Sequence, residues 1–352
     1  MTAAELIAAA AARKASDIHI ICGEYPCFRI AGALSRQTDL PLLTAELCDA
    51  LAAELAGDKR EELRDVGEID TSATISGVRV RVNLFQQQNG VSAAIRLLAD
   101  HIPELRSLGL PPKVEELCDL RQGFILVTGE TGSGKSTTLA AIIDRINHTR
   151  AEHVLTLEDP IEYQYTPDKC LFNQREIGRD TRSFAAALRA ALREDPDIIL
   201  VGELRDRETI ETALTAAETG HLVLGTLHTG SAADTIDRIV DVFPEARQQQ
   251  IRMQLSMTLR AVLSQQLLPD RVKGGRVCAC ELMVVNAAIR NLIREGKTPQ
   301  INNAIATSAA EGGMTMDAAL LRLYKAGRIT GREALEAAAE PANMQKQIRT
   351  GI

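Results

Sequence analysis

Gly129-Glu130-Thr131-Gly132-Ser133-Gly134-Lys135-Ser136 has the spacing Gly-x-x-x-x-Gly-Lys-Ser, and its flanks decide the fold. Before it runs Phe124-Ile125-Leu126-Val127-Thr128, short, apolar and bounded by Gly123. After it, Thr137 to Ile146 sets Leu139, Ile142, Ile143 and Ile146 on one side of a helix. Strand, glycine loop and helix form the order a phosphate-binding loop requires. Glycines let successive backbone N–H groups turn inward towards phosphate oxygens, and the helix start adds partial positive charge at the same spot. Lys135 is placed to reach the terminal phosphates, and the Ser136 hydroxyl to ligate Mg²⁺.

Working outward towards the C-terminus, apolar runs at 153–157, 197–201 and 222–226 alternate with helical stretches at 137–148, 183–194 and 207–219. Fully apolar strands in that rhythm predict an α/β domain whose parallel sheet is covered on both faces. Beyond 232 the pattern predicts helices at 232–241, 245–267, 287–295, 299–310, 314–326 and 330–338, interrupted only by strand character at 277–285.

Towards the N-terminus the texture differs. A helix over 2–14, strands at 18–21 and 27–30, and a helix from the Thr44 cap to Ala56, stopped by Gly57, precede three strands at 69–75, 78–82 and 91–97. Neighbouring short strands with hairpin turns at Gly77 and Asn89-Gly90 predict an antiparallel α+β unit. Pro103, Gly109, Pro111 and Pro112 break any periodicity, so 99–113 reads as a linker with one short helix. The expected organisation is an N-terminal domain over 1–98, a linker over 99–113 and a nucleotide-binding domain with C-terminal helices over 114–352.

Four further clusters carry chemistry. Asp197-Ile198-Ile199-Leu200-Val201-Gly202-Glu203 is an apolar strand ending in an acid. A second strand beside a phosphate loop commonly delivers such an acid, which makes Glu203 the candidate general base, with Gly202 where many such enzymes carry Asp. The alternative is a solvated strand-end carboxylate. Leu157-Glu158-Asp159-Pro160-Ile161-Glu162 ends another strand in three acids. Acids this dense need a cation, either Mg²⁺ or a basic side chain, unless they form a plain surface turn. Leu224-Gly225-Thr226-Leu227-His228-Thr229 ends a third strand in polar groups that suit a phosphate sensor, and His221 at its other end is a weaker candidate. For transition-state charge, Arg189 and Arg193 share a helix face, while Arg81 and Arg96 lie on N-terminal strands; each also suits an ordinary salt bridge.

A net charge of −7 and 3% aromatic residues without Trp argue against nucleic acid as a partner. Seven scattered cysteines show no zinc spacing and read as reduced core thiols. No run approaches the roughly 18 apolar residues of a membrane span, and the alanine-rich start reads as a surface helix rather than a signal peptide. Ala288-Ile289-Arg290-Asn291-Leu292-Ile293-Arg294-Glu295-Gly296-Lys297 reads as an amphipathic helix, either docked on the core or offered to a partner.

Taken together, Ser16-Asp17-Ile18-His19-Ile20, Gly129 to Thr137, Leu157 to Glu162, Ala187 to Arg205, Thr215 to Thr229 and Ala288 to Lys297 resemble the hexameric ATPases of type II/IV secretion and type IV pili. The last segment is similar to the branch that retracts pili in twitching motility. The resemblance spans nearly the whole chain. It implies a PAS-like N-terminal domain, a RecA-like P-loop NTPase domain and a homohexamer hydrolysing ATP with Mg²⁺ at subunit seams. By resemblance, Gly129, Glu130, Thr131, Gly132, Ser133, Gly134, Lys135, Ser136 and Thr137 bind nucleotide. Glu158 and Glu162 fall in an acidic box, His228 in a histidine box, and Arg81 and Arg96 reach in from the N-terminal domain. It further implies a cytoplasmic protein peripheral to the inner membrane, acting on a pilus platform protein there. A related secretion or conjugation ATPase, a RecA-like DNA translocase and a non-hydrolysing switch are the alternatives. The four-cysteine zinc insertion of assembly-type relatives is absent, and Glu24 and Tyr25 depart from the usual turn.

Overall fold

The computed structural model describes residues 1–30, 32–98 and 101–350. Residues 99 and 100 of the expected linker, and 351 and 352 at the chain end, lie outside these. Contacts divide the chain into residues 1–101 with 160–164, and residues 102–159 with 165–352.

The first unit holds α1 (Ala3–Ala12), β1 (Ala15–Ile20), β2 (Cys27–Ile30), β3 (Ala33–Arg36), α2 (Ala45–Ala56), α3 (Arg60–Val66), β4 (Glu68–Ile75), β5 (Val78–Gln87) and β6 (Gly90–Leu97). The helix expected over 2–14 is shorter because Thr2 is its N-cap, in a reciprocal capping box with Glu5, and Lys14 sits at φ 55°, which no helix continues through. The six strands run β3-β2-β1-β6-β5-β4, every neighbour antiparallel. On β5, Val80, Val82 and Leu84 are buried in a core shared with Leu6 and Ile7 of α1 and Leu51 and Leu55 of α2. The alternate positions Arg79, Arg81 and Asn83 therefore point the other way. Register places Arg81 directly opposite Arg96, and Arg96 opposite Asp17.

The second unit begins with α4 (Lys113–Leu117), β7 (Gly123–Thr128), α5 (Lys135–Thr149), β8 (His153–Glu158), β9 (Leu171–Glu176), α6 (Phe184–Ala191), β10 (Ile198–Val201), α7 (Arg207–Glu218) and β11 (Leu222–Leu227). It continues with α8 (Ala232–Asp241), α9 (Glu245–Thr258), β12 (Leu259–Pro269), β13 (Arg276–Val284), α10 (Ala287–Glu295), α11 (Ile301–Thr307), α12 (Met316–Lys325), α13 (Gly331–Ala337) and α14 (Pro341–Thr350). Its seven-stranded sheet runs β13-β12-β7-β11-β10-β8-β9. Six strands are parallel, and β13 returns antiparallel along β12, so the sheet is mixed at one edge. This is the α/β, RecA-like arrangement.

One expectation fails outright. The helix predicted over 245–267 stops at Thr258, and Leu259–Pro269 forms β12 between β7 and β13. Ala261, Val262 and Leu263 are fully buried, so the strand has no alternating pattern to betray it, and a continuous apolar run reads equally as helix. Strand β9 and helix α14 are not expected from the sequence; the first is largely polar, an edge strand, and the second begins at Pro341. All seven cysteines are free. Cys48, Cys118, Cys170 and Cys280 are buried, while Cys22, Cys27 and Cys278 are half-buried rather than core thiols, and burial pushes the Cys118 thiol up to about 12.

Candidate active site

The loop after β7 is built by three glycines in the positive-φ region, where any other residue is strained. Gly129 takes φ 141°, and a Cβ there would meet the Gln265 carbonyl and stand 2.6 Å from Ser133 Oγ. Gly132 and Gly134 take φ 82° and 94°. Gly134 is the N-cap of α5 and brings no capping side chain, which suits the first-turn N–H groups to an anion. Lys135 is buried, and its ammonium donates to the carbonyls of Gly129 and Glu130 at 2.8 and 2.9 Å, which fixes the charge over the loop. Ser133 Oγ is buried without a partner. Glu130 and Thr131 form the exposed tip, and Ser136 and Thr137 stand half-buried on the first turn of α5.

Because β7, β11, β10 and β8 are parallel, their C-terminal ends share the sheet edge that carries the loop. His228 follows β11, Gly202 and Glu203 follow β10, and Glu158 ends β8. The acid-bearing strand is therefore not beside the loop strand, as sequence suggested: β11 lies between them. Gly202 is also explained. A Cβ there would sit 3.1 Å from the Leu157 carbonyl and 3.3 Å from Glu158 Cα, so the strand ends leave little room for an aspartate.

Glu203 is the centre of this edge. Its Oε1 lies 3.5 Å from His228 Nε2, and its Oε2 pairs with Arg205 at 2.8 Å. Burial pushes the carboxyl up, but the Arg205 hydrogen bond and charge, helped by His228 and Lys135, outweigh it and hold the group below its ordinary value. Glu203 thus stays ionised at neutral pH, as a proton acceptor must. The same guanidinium stands 3.8 Å from Asp159, so a basic side chain bridges two of the acidic strand ends. Arg205 was passed over in the sequence. The signal was its spacing: with Leu204 buried, Glu203 and Arg205 fall on one side of an extended segment.

Replacing Arg205 by Ala removes the groups that lower the Glu203 pKa and leaves the burial that raises it. The acidic limb of the pH profile of kcat/KM is expected to move to higher pH. A limb unmoved by the substitution contradicts the pairing. The sign for stability is the same: a depressed carboxyl contributes above its unfolded pKa, and the contribution is lost as pH falls through the folded value.

Glu158 accepts from Thr156 Oγ1 at 2.7 Å and from Gln174 Nε2 at 3.4 Å. Glu162 is not brought to this edge within the second unit: segment 160–164 packs with the first unit. Within that unit Arg81 pairs with Asp70 at 2.5 Å, and Arg96 with Asp17 at 3.0 Å. Strand register, which sets Arg81 opposite Arg96, puts the two arginines side by side. Arg189 pairs with Glu208.

Beside the loop lies a cavity of about 510 Å³, a size that suits a nucleoside. Ser133, Gly134, Thr137, Leu267, Arg276 and Arg328 are among the residues that line it. Arg276 donates to the Gly132 carbonyl at 3.2 Å and so ties β13 to the loop. Among the described residues no three His, Cys, Asp or Glu side chains form a metal cage. The available donors are hard oxygens, the Ser136 hydroxyl and strand-end carboxylates, which fits Mg²⁺ held mainly by phosphates and water.

Residues 2–335 match the family model of type II/IV secretion system proteins. The type IV pilus retraction ATPase PilT of Pseudomonas aeruginosa is 48% identical over 345 residues, covering 97% of this chain and all of that protein. A twitching motility protein of Neisseria gonorrhoeae is 46% identical over 321 residues, 91% of this chain and 86% of its own length. The crystal structure of the pilus retraction motor PilT with bound ADP superposes with a TM-score of 0.92 at 50% identity, covering 98% of this chain and 99% of that one. The identity and the superposition both run along almost the whole length, and the chain belongs to the type II/IV secretion system protein family.

Proposed function

We propose that this chain is an ATP-hydrolysing motor that powers type IV pilus retraction, working as a homohexamer on the cytoplasmic face of the bacterial inner membrane. The observation that carries the reading is the near full-length identity to a pilus retraction ATPase, joined to a complete loop and acid at one sheet edge. Among the described residues no helix is long and apolar enough to cross a membrane, and a peripheral protein acting on an inner-membrane platform protein accords with that.

The chemistry follows from the residues. Gly129 to Thr137 offer backbone amides to the triphosphate, and Lys135 supplies charge at the γ-phosphate. Mg²⁺, when bound, neutralises charge developing on the β- and γ-oxygens. Ser136 would hold it, with Glu158 reached through water. Glu203 takes the proton of the attacking water as its oxygen bonds to the γ-phosphorus and the bond to ADP breaks. His228, against Glu203, senses whether the γ-phosphate is present. By the family resemblance Arg81 and Arg96, opposite one another across β5 and β6, bring positive charge from the N-terminal domain to the transition state, and Glu162 belongs with Glu158 to the acidic box. In this reading residues 1–98 are the PAS-like domain, 99–113 the linker and 114–352 the motor domain, and hydrolysis turns one against the other.

The test is complementation. Expressed in a strain lacking its own retraction ATPase, the chain is expected to restore twitching and reduce the excess of surface pili. Pili that remain in excess on motionless cells, with the protein present and hydrolysing ATP, would contradict the retraction role.

A further inference from the structure

The nucleotide machinery gathers where β7 ends, and a second charged surface forms where β7 begins. A Cβ on Gly123, the first residue of β7, would stand 2.6 Å from Arg260 Cγ, so the Arg260 stem lies across that opposite edge. Helix α10 follows closely: Val285 N donates to the Arg260 carbonyl at 2.9 Å, and α9 and α10 are tied by Gln249 Nε2 donating to the Arg294 carbonyl at 3.3 Å. The Arg252 guanidinium carbon is 3.4 Å from where a Cβ on Gly296 would be. Three elements thus bring Arg252, Arg260, Arg290 and Arg294 to one surface.

These arginines differ from their neighbours. Arg247 pairs with Glu211 at 2.8 Å, and Lys297 pairs with Glu295 at 2.7 Å. Among the described residues, none of the four has an acidic partner at ion-pair distance. Arg260 donates to the Met257 carbonyl at 2.8 Å, Arg294 bonds Asn291, and Arg252 Nη1 is buried with no partner. Burial, and then the charge on Arg290, push the Arg260 guanidinium below its ordinary value. The acids facing the patch are Glu295, already held by Lys297 and Asn291, and Glu218, which accepts from Gln254. On a chain of net charge −7, four guanidinium groups without an acidic partner, with the charge of Arg290 acting on Arg260, gain no ion-pair energy within the fold. They are what binding an anion requires. Met253 and Met257, one turn apart on α9, are 41% and 50% exposed beside them.

We propose that this surface, opposite the nucleotide edge, docks an acidic segment of a partner protein. Its Asp or Glu carboxylates enter the guanidinium forks, and an apolar side chain lies on Met253 and Met257. Arg252 and Arg260 are half-buried, and Arg260 is held by a backbone carbonyl, so their donors stand at set positions. Fixed forks match the planar, paired oxygens of a carboxylate. An anionic membrane is better met by mobile lysines with Trp or Phe inserted, and the chain has no Trp. The inference stands apart from the reading of the nucleotide site.

The full chain is titrated into a fluorescein-labelled peptide of alternating Glu and Leu, followed by anisotropy at low salt. Binding is expected, weakening as salt rises, and at least about tenfold weaker for the Arg290→Glu/Arg294→Glu variant. ATP turnover by that variant is expected to be unchanged. A Lys325→Glu/Arg332→Glu variant, altered elsewhere on the C-terminal helices, should bind as the parent does. No binding by the parent, or equal binding by the Arg290→Glu/Arg294→Glu variant, would overturn the proposal. So would binding to phosphatidylglycerol vesicles, but not to the peptide, through the same arginines.

Discussion

Glu203→Gln should lower kcat for ATP hydrolysis by about two to four orders of magnitude, while the Kd for MgATP stays within roughly twofold. The amide keeps the size of the carboxylate and can still bond Arg205 and His228, which now contact it at 2.8 and 3.5 Å. What it loses is the ability to take a proton. A larger effect than loss of one acid is not expected, because the loop and Lys135 still hold the phosphates. Phosphate release measured beside nucleotide binding separates the two. Turnover that survives the substitution removes Glu203 from the role of base.

Lys135→Ala should have the complementary effect, abolishing measurable MgATP binding and with it hydrolysis. Charge-assisted hydrogen bonds contribute about 1.5–3 kcal/mol each, so losing those from one ammonium to terminal phosphates weakens binding by roughly a hundredfold or more. The melting temperature is expected to change little. Of the two carbonyls that Lys135 bonds, that of Glu130 belongs to the exposed loop tip, where water can replace the ammonium, so only the buried Gly129 carbonyl loses its partner. A variant that melts as the parent does yet binds MgATP with parental affinity would contradict the assignment of the loop.

How much of this was readable in advance depended on whether the cause was local. The loop was legible because its glycines answer a local demand, positive φ at 129, 132 and 134, and a buried strand and a helix flank it directly. The α10 helix was legible to the residue, since Asn286 caps it and Gly296 stops it. β12 was not, because what makes Leu259–Pro269 a strand is pairing with β7 and β13, and neither partner is visible in its own residues. Strand order is likewise a tertiary fact. Nothing in the sequence states that β11 separates the loop strand from the strand that carries Glu203.

The acids show the same division. The crowding of Glu158 and Asp159 called for a cation, and the structure supplies Arg205, contributed by the end of a different strand. Glu162, only four residues from Glu158, goes with the other unit. Spacing along the chain does not report that the backbone leaves one unit between them. Arg81 and Arg96 could each be placed on a strand, but their standing opposite one another follows from β5–β6 register.

The central claim is that backbone amides of one loop and the charge on Lys135 hold a triphosphate against Glu203. Calorimetric titration of the purified chain with a slowly hydrolysed ATP analogue and Mg²⁺ tests it most directly. Saturable binding at up to one site per chain, abolished by Lys135→Ala and retained by Glu203→Gln, is the predicted result. Well-folded parent protein that takes up no magnesium nucleotide, or takes it up equally without Lys135, would contradict the account.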